Sequence, residues 1–382
     1  MIYLDNAATT FPKPGSVYNK TFLDTQKFGA NPGRSGHDLS IKTSEMVYRT
    51  RERVKEFFGV PKTENIAFVL NCTMALNMGI KGVLRKGDHV VISDLEHNAV
   101  ARPLAKLKDR GMIDYTVVHV VEGNDDLTLE NFKKVITPKT KLVVCTHASN
   151  VFGIKTPIRR IGKMCSQEGI IFMVDAAQTS GVTKINVKED HINILCIAPH
   201  KGLYSFMGTG IIITDCADLM TTIIEGGTGS SSLSLIQPKI MPDMLESGTQ
   251  NIPGIISINH GINAIENIGV SNIAKHEMKL IQYAYMFLSS VKNVVLYSSF
   301  PKIETHVPVL SFNINGIDSE ETVLKLNEEG FALRGGIHCA PLAHISHNTD
   351  KTGTVRIAPS MFTTQEQIEK FCYAVKKIIK DL

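Results

Sequence analysis

The chain has 382 residues, of which 43% are hydrophobic and 20% are charged, and its formal net charge is +4. A chain of this length can bury a large core and form more than one domain. Because the small basic excess includes no block of Lys or Arg, neither nucleic acid nor an anionic membrane is indicated as a partner. No apolar run approaches the ~18 residues that would span a bilayer.

The cysteines and the first residues bear on the cellular compartment. The start, MIYLDNAATT, has no basic stretch followed by an apolar one, so it does not resemble a signal peptide. The seven cysteines are scattered, unlike those of a disulfide framework. This distribution favours a reducing compartment, and we expect a cytoplasmic protein.

From about residue 65, short apolar runs rich in β-branched residues alternate with amphipathic stretches. The predicted strands are 66–70, 89–93, 115–120, 141–146, 170–175, 192–197 and 210–214. Predicted helices between them include 99–111, 128–136 and 157–169. This alternation predicts an α/β fold with a mainly parallel, seven-stranded sheet and right-handed crossovers. Ligands of such a sheet bind beyond the carboxyl ends of its strands.

The pattern changes after residue 254. A long helical region, a few strands, another helix and a C-terminal helix predict a smaller α+β domain; these elements are 255–292, 307–314, 318–329 and 364–381. We expect a large domain at 14–254, with 1–13 and 255–382 forming the small domain.

Two charged residues follow predicted buried strands. Lys201 comes shortly after the strand at 192–197, and Asp175 directly follows five apolar residues. A lysine whose pKa is lowered by its surroundings is a good Schiff-base nucleophile. A buried acid can pair with the protonated ring nitrogen of pyridoxal 5′-phosphate (PLP). The alternatives are a solvated loop lysine and a helix N-cap.

Two further positions suit anions. Thr73 opens a predicted helix, where its hydroxyl and free backbone N–H groups could seat a phosphate. Arg356 lies in a strand-like segment, and its guanidinium suits a carboxylate. The alternatives are an ordinary Thr-capped helix and a structural ion pair.

Cys339 lies in a segment rich in Gly, Pro and His, RGGIHCAPLAHISH. We expect this loop to be mobile and its thiol accessible, with His338 and Arg334 favouring the thiolate. A metal site is one alternative, although the spacing matches no common zinc pattern. It would use His338, Cys339, His344 and His347. An inert loop cysteine is another alternative. A nucleophilic cysteine is the third interpretation; these residues alone leave the choice open, although we expect no metal.

Nine motifs occur in order from end to end: YLDNAATTFPKP, NPGRSGHDLS, DLEHNAV, SNVFG, VDAAQ, APHKG, ESGTQN, RGGIHCA and TVRIAP. Together they resemble the class V aminotransferase-like family, and most closely its cysteine desulfurase/selenocysteine lyase group. The R-x-G-x-H-C-A setting of the cysteine is similar to the branch with a short active-site loop.

The resemblance implies a fold-type-I PLP enzyme that works as a homodimer. Its catalytic residues would be Lys201, which forms the Schiff base, Cys339 and His97, which stacks on the ring. Further cofactor contacts would be Asp175 to the ring nitrogen, Gln178 to the ring hydroxyl, Asn150, the phosphate ligands Thr73 and His200, and Thr249 of the partner subunit. Substrate contacts would be Arg356, Asn150, Arg334 and Ala8. Cys72, Met74, Phe206 and Met207 depart from residues common in the family.

The implied reaction converts L-cysteine to L-alanine, leaving a persulfide on Cys339. A short loop cannot reach far, so a sulfur-acceptor protein would dock beside it. Selenocysteine lysis would need the same site, whereas C–S β-elimination or epimerisation would not need Cys339. A PLP-binding protein without activity is a further alternative, which the joint presence of Lys201, Asp175, Arg356 and Cys339 opposes.

Overall fold

A computed structural model describes residues 1–33 and 36–382; Arg34 and Ser35, within the NPGRSGHDLS motif, lie outside the described residues. The strands are β1 (Ile2–Tyr3), β2 (Ile66–Val69), β3 (Asp88–Ser93), β4 (Ile113–Val118), β5 (Thr140–Thr146), β6 (Ile171–Asp175), β7 (Ile194–Ile197), β8 (Gly210–Thr214), β9 (Val294–Leu296), β10 (Leu310–Ile314), β11 (Phe331–Ala332) and β12 (Val355–Ile357). The helices are α1 (Gly15–Lys27), α2 (Asp38–Phe58), α3 (Cys72–Val83), α4 (Asn98–Asp109), α5 (Asp125–Val135), α6 (Ile158–Gln167), α7 (Ile252–Ile268), α8 (Val270–Ser289), α9 (Ser319–Glu328), α10 (Pro341–Ser346) and α11 (Gln365–Lys380).

The central sheet has seven strands in the order β2-β8-β7-β6-β5-β3-β4. Five neighbouring strands, from β7 to β4, are parallel, and β8 runs antiparallel to both β7 and β2. The predicted α/β class with a mainly parallel seven-stranded sheet is therefore confirmed. Strands β2, β6, β7 and β8 are buried along their whole length, which explains why they read as continuous apolar runs without alternation.

The long helical region predicted at 255–292 is two helices. Helix α7 ends at Ile268, and its C-cap is Gly269, whose φ of 91° suits glycine; α8 begins at Val270. The side chain of Asn251 caps the start of α7 by accepting from the Gly254 N–H. The apolar residues of α7 belong to the same core cluster as the central sheet. Helix α7 therefore packs as part of the core around the central sheet.

The C-terminal part has its own small sheet, β12-β10-β9, which is antiparallel. A separate core lies between this sheet and helices α8, α9 and α11. The N-terminal strand β1 pairs in parallel with β11 of this part. No described helix is long and apolar enough to cross a membrane.

Candidate active site

Two of the predicted site residues, Asp175 and Lys201, lie at the carboxyl edge of the parallel strands. Asp175 is the last residue of β6 and is buried, and its carbonyl oxygen accepts a hydrogen bond from the N–H of His147, just beyond β5. Lys201 lies in the turn that follows β7. Parallel strands end at the same edge of a sheet, and this edge is where α/β proteins place their ligands.

Lys201, Asp175 and His97 share one electrostatic environment. Burial lowers the pKa of the Lys201 amine, and the Asp175 carboxylate opposes that shift. Burial likewise lowers the pKa of His97, again with Asp175 opposing it and Lys201 adding to it. His97 caps helix α4, because its Nδ1 accepts from the Ala99 N–H at 3.0 Å. An imidazole with this lowered pKa is neutral near pH 7, which suits a ring-stacking role.

The N-terminal segment holds the turn that carries the lysine. The hydroxyl of Thr10 donates to the Lys201 carbonyl oxygen at 3.0 Å, and the hydroxyl of Thr9 donates to the His200 carbonyl oxygen at 3.2 Å. The amine of Lys13 also donates to that His200 oxygen, at 3.1 Å. The backbone on both sides of the His200–Lys201 bond is therefore fixed by residues almost 200 positions earlier in the chain.

Cys72 contacts the key carboxylate from the start of helix α3. Its Sγ lies 3.7 Å from Oδ1 of Asp175, an oxygen that also accepts from the Ala177 N–H at 2.9 Å. Burial and the adjacent carboxylate raise the pKa of the Cys72 thiol well above its usual range. The thiol is therefore a hydrogen-bond donor at neutral pH, and it orients Asp175.

The residues expected to bind phosphate lie on different elements. Thr73 is exposed in the first turn of α3, after the N-cap Asn71. His200 Nδ1 lies 3.0 Å from Thr9 Oγ1, and burial lowers its pKa to about 4, so the ring is neutral at pH 7. Thr249 is exposed and lines a surface cleft with Met74 of the same chain.

Gln178 contacts the N-terminal segment near Lys201, and Ala8 is part of that segment. The side-chain amide of Gln178 donates to the Ala7 carbonyl oxygen at 3.0 Å. Ala8 is half-buried in the turn that its N–H closes onto the Asp5 carbonyl oxygen at 3.0 Å. Gln178 and Lys201 line a common cavity.

Arg356 is buried, with 1% of its surface exposed. Its Nη2 forms an ion pair with Asp5 Oδ1 at 2.6 Å, and its Nη1 donates to the Asn150 carbonyl oxygen at 2.8 Å. The structural ion pair that was the alternative for this residue is thus present. The Nε atom, however, is buried and has no partner among the described residues. A buried hydrogen-bond donor without a partner destabilises the fold. A substrate carboxylate would accept a hydrogen bond from this nitrogen.

The segment around Cys339 forms hydrogen bonds with two other parts of the chain. His338 and Cys339 have φ angles of 50° and 58°, a conformation that is strained for residues other than glycine. The Asn150 side chain donates to the His338 carbonyl oxygen at 2.8 Å, and the Asn98 N–H donates to the Cys339 carbonyl oxygen at 2.7 Å. The Cys339 side chain is exposed, and Arg334 Nη2 lies 3.8 Å from its Sγ.

The histidines near Cys339 are engaged in other contacts. His338 Nε2 lies 2.8 Å from the Thr354 carbonyl oxygen, and burial lowers its pKa to about 2. His338 is thus neutral, and the expectation that its charge favours a thiolate is wrong. His344 Nδ1 bonds the Thr349 hydroxyl, and His347 stacks on Phe152. No cluster that could hold a metal ion occurs within residues 1–33 and 36–382.

Three site contacts were not foreseen from the sequence. They are the Asp5–Arg356 ion pair, the bonds from Thr9 and Thr10 to the lysine turn, and the Cys72–Asp175 contact. The polar start of the N-terminal motif, DNAATT, was the available signal for the first two. The position of Cys72 three residues after the buried strand β2 was the signal for the third.

Glu96 is a buried carboxyl group behind this site. Its Oε1 accepts from the Thr146 N–H at 2.7 Å and from the Ser93 hydroxyl, while its buried Oε2 has no partner in the described part of the chain. Burial raises the pKa of Glu96 from 4.5 to about 8. The folded protein therefore keeps a proton that the unfolded chain loses above about pH 4.5.

We expect Glu96→Gln to reduce the loss of stability at higher pH. The raised pKa means that this group destabilises the fold progressively as pH rises from about 4.5 to 8, by up to ~1.4 kcal/mol for each pH unit. Urea unfolding at pH 5, 6 and 7 measures the free energy of unfolding of both proteins. If the difference in free energy of unfolding between the wild type and Glu96→Gln does not change with pH, Glu96 does not have the raised pKa.

Comparisons with known proteins identify the family of this chain. The family model for class-V aminotransferases matches residues 2–371. The chain belongs to this family. Similar proteins include one from Borreliella burgdorferi that is named as a probable cysteine desulfurase and is 31% identical to this chain. The alignment covers 100% of this chain and 92% of the relative. Another of that name, from Methanothermobacter thermautotrophicus, is 31% identical over 96% and 92% of the two chains.

A solved structure is similar to this chain in both fold and sequence. The apo structure of a cysteine desulfurase from Thermococcus onnurineus NA1 superposes with a TM-score of 0.92 and is 30% identical. The alignment covers 100% of this chain and 95% of that one. The central sheet and the carboxyl-edge site therefore belong to a fold that cysteine desulfurases use.

Proposed function

We propose that this protein is a PLP-dependent cysteine desulfurase that converts L-cysteine to L-alanine and carries the sulfur as a persulfide on Cys339. The observation that carries the proposal is that a lysine–carboxylate pair and an exposed cysteine belong to one site at the edge of the sheet. Lys201, with a lowered pKa, lies in the field of Asp175. The exposed Cys339 is tied to the same site through Asn150, which also contacts Arg356.

The residues present fit PLP. A buried carboxylate, Asp175, offers a partner for a protonated ring nitrogen, and Lys201 offers an amine whose lowered pKa favours Schiff-base formation. His97, next to both charges, would stack on the ring, and Gln178 would contact the ring hydroxyl. The phosphate would be held by Thr73 and His200, joined by Thr249 of the partner subunit in a homodimer.

The substrate would be held by its carboxylate. Arg356 has one buried nitrogen, Nε, without a partner, and this nitrogen would donate to the carboxylate of cysteine. Asn150 is buried and fixes both Arg356 and the turn before Cys339. Arg334 and Ala8 would complete the pocket. Asn150 thereby sets the position of the carboxylate relative to the nucleophile.

The chemistry divides among the residues as follows. PLP, when bound, accepts the electron pair left at Cα when its proton is removed. Lys201, released from its covalent role, would remove this proton and later return a proton to the substrate carbons. The thiolate of Cys339 would attack the substrate sulfur, so that an S–S bond forms and the Cβ–S bond breaks. Protonation at Cβ and Cα then gives alanine and leaves Cys339 as the persulfide.

The basic arginine beside Cys339 supports this step. The Arg334 guanidinium, 3.8 Å from Sγ, stabilises negative charge on sulfur. The thiol is exposed, so the persulfide would be open to a sulfur-acceptor protein docking beside the segment. The same geometry would accept selenocysteine, which differs from cysteine only in the chalcogen atom.

The test is a stoichiometric assay of the PLP-loaded protein. We expect the absorbance of PLP bound through its lysine Schiff base to change on addition of L-cysteine, with equal amounts of alanine and reducible sulfur formed. Selenocysteine is assayed in parallel, and a much higher specificity constant for it would identify a lyase instead. A PLP absorbance that responds to neither amino acid would exclude both functions.

A further inference from the structure

A buried ion pair joins helix α2 to the segment that follows residue 245. Arg51 Nη1 lies 2.8 Å from Glu246 Oε1, and Arg51 Nη2 lies 3.1 Å from Glu246 Oε2. The two side chains are 8% and 7% exposed. A guanidinium that holds both oxygens of a carboxylate fixes the direction of that group as well as its distance. The proposed function gives neither residue a role.

The ion pair binds the free side of strand β2, which is the outermost strand at one end of the central sheet. The Phe68 N–H donates to Glu246 Oε1 at 2.7 Å, and Arg51 Nη1 donates to the Ile66 carbonyl oxygen. The Arg51 guanidinium also lies 4.8 Å from the centre of the Phe68 ring. An edge strand has backbone groups that no neighbouring strand pairs. The ion pair takes up two of these groups, and the Glu246 carboxylate is thereby fixed relative to the sheet.

Glu246 also closes a loop within its own segment. The side-chain amide of Gln250 donates to Glu246 Oε2, and this bond encloses residues 247–249. Gly248, in the middle of the loop, has a φ of 93°, a conformation that favours glycine. Thr249 is exposed and directly precedes Gln250. The position of Thr249 therefore depends on where the Glu246 carboxylate is held.

Other hydrogen bonds of this loop lead to the protein surface. The side chain of Ser247 and the N–H of Gly248 bond to residues within 224–237, a stretch that is mostly exposed. Glu246, Gly248 and Gln250 each line two clefts, so the loop has open space on two sides. The ion pair with Arg51 connects the loop to the buried sheet instead.

We propose that Arg51 is a positioning residue for the cofactor phosphate, and that it acts by fixing Glu246 and hence the loop that carries Thr249. The inference rests on the proposed function, in which Thr249 of one subunit joins the phosphate site of its partner. Buried ion pairs often add little net stability, because the desolvation of two charges offsets their attraction. Apolar side chains would stabilise this contact as well, but they offer no directional bonds that fix a loop.

The test compares the binding of PLP with that of pyridoxal, which lacks the phosphate, to the full-length protein freed of cofactor. Arg51→Lys keeps the positive charge but offers a single ammonium in place of the planar fork. We expect this variant to raise the Kd for PLP about tenfold, as loss of one hydrogen bond to a charged group does. The Kd for pyridoxal should not change. Both constants are measured by absorbance titration.

Two further variants show whether Arg51 acts through Thr249. Thr249→Val removes the hydroxyl itself and should raise the Kd for PLP by a similar factor, and the double variant should bind PLP no more weakly than Thr249→Val alone. Arg53→Lys is the matched control, because Arg53 also belongs to α2 and pairs with Glu266 of α7 at 3.1 Å. It should leave the Kd for PLP and the Kd for pyridoxal unchanged. Far-UV circular dichroism checks that each variant is folded.

The outcomes distinguish this inference from the proposed function. Equal weakening of PLP and pyridoxal by Arg51→Lys, or an effect that multiplies with that of Thr249→Val, would overturn the inference alone. An unchanged Kd for PLP in Arg51→Lys would also overturn it, while weaker binding by Thr249→Val would still support the phosphate role of Thr249. If Thr249→Val has no effect, both that role and the inference are wrong. A wild-type protein that forms no Schiff base with PLP would contradict the proposed function as well.

Discussion

Replacing Cys339 with serine is expected to reduce the rate of alanine formation from L-cysteine by at least ~10³-fold, as loss of a covalent nucleophile does. Serine keeps the size of the side chain, but a hydroxyl cannot accept the sulfur as a stable persulfide. The absorbance of bound PLP should be unchanged, because Cys339 holds the sulfur and not the cofactor. The measurement quantifies alanine and reducible sulfur under single-turnover conditions.

The control for this variant is Cys216→Ser. Cys216 follows the antiparallel strand β8, so it lies at the opposite edge of the central sheet, beside the hydroxyl of Thr214. Serine can keep that hydrogen bond, and activity should stay close to that of the wild type. If Cys339→Ser releases sulfur at the full rate, the persulfide route is wrong and β-elimination is the better interpretation.

Lys201→Arg is expected to abolish covalent attachment of PLP and to lower turnover by at least ~10⁴-fold, the upper range for loss of a general acid–base group. Arginine keeps a positive charge near Asp175 but cannot form a Schiff base or exchange a proton at neutral pH. Borohydride reduction of the PLP-loaded protein, followed by peptide mass analysis, should find the cofactor on Lys201 in the wild type only.

Lys13 provides the internal control for that experiment. It is buried near the same turn, and burial lowers its pKa to about 8. Its amine is committed to the carbonyl oxygens of Thr10 and His200, at 2.9 and 3.1 Å. Finding the reduced cofactor on Lys13 in the wild type would contradict the assignment of Lys201.

The sequence predicted the sheet well because most of its strands are buried along nearly their whole length. All seven predicted strands occur, and the end of β6 at Asp175 was placed correctly. The start of α5 was predicted three residues late, because the cap Asn124 and the two aspartates after it precede the first apolar residue. The break at Gly269 was missed because apolar residues continue at helical spacing on both sides of it.

The site was predictable at the level of residue types but not of contacts. Strand ends placed Asp175 and Lys201 at one edge, and the motifs added the other candidates. The Asp5–Arg356 pair joins positions 351 residues apart, and no local pattern reports such a distance. The neutral state of His338 depends on its burial, which the glycine-rich segment did not suggest. The local sequence therefore indicates which residues contribute to the site, whereas the contacts between them are seen only in the folded structure.

The N-terminal strand has a consequence for how the protein is made. Residues 2–10 are synthesised before their partners, which are His200, Lys201, Phe331 and Arg356. During synthesis Thr9 and Thr10 can bind the lysine turn only after residue 201 has emerged, and Asp5 can pair only after Arg356 has emerged. Contacts of such long sequence separation are slow to form. The N-terminal segment is therefore fully paired only late in synthesis, and a chain that stops before Phe331 would lack the pairing between β1 and β11.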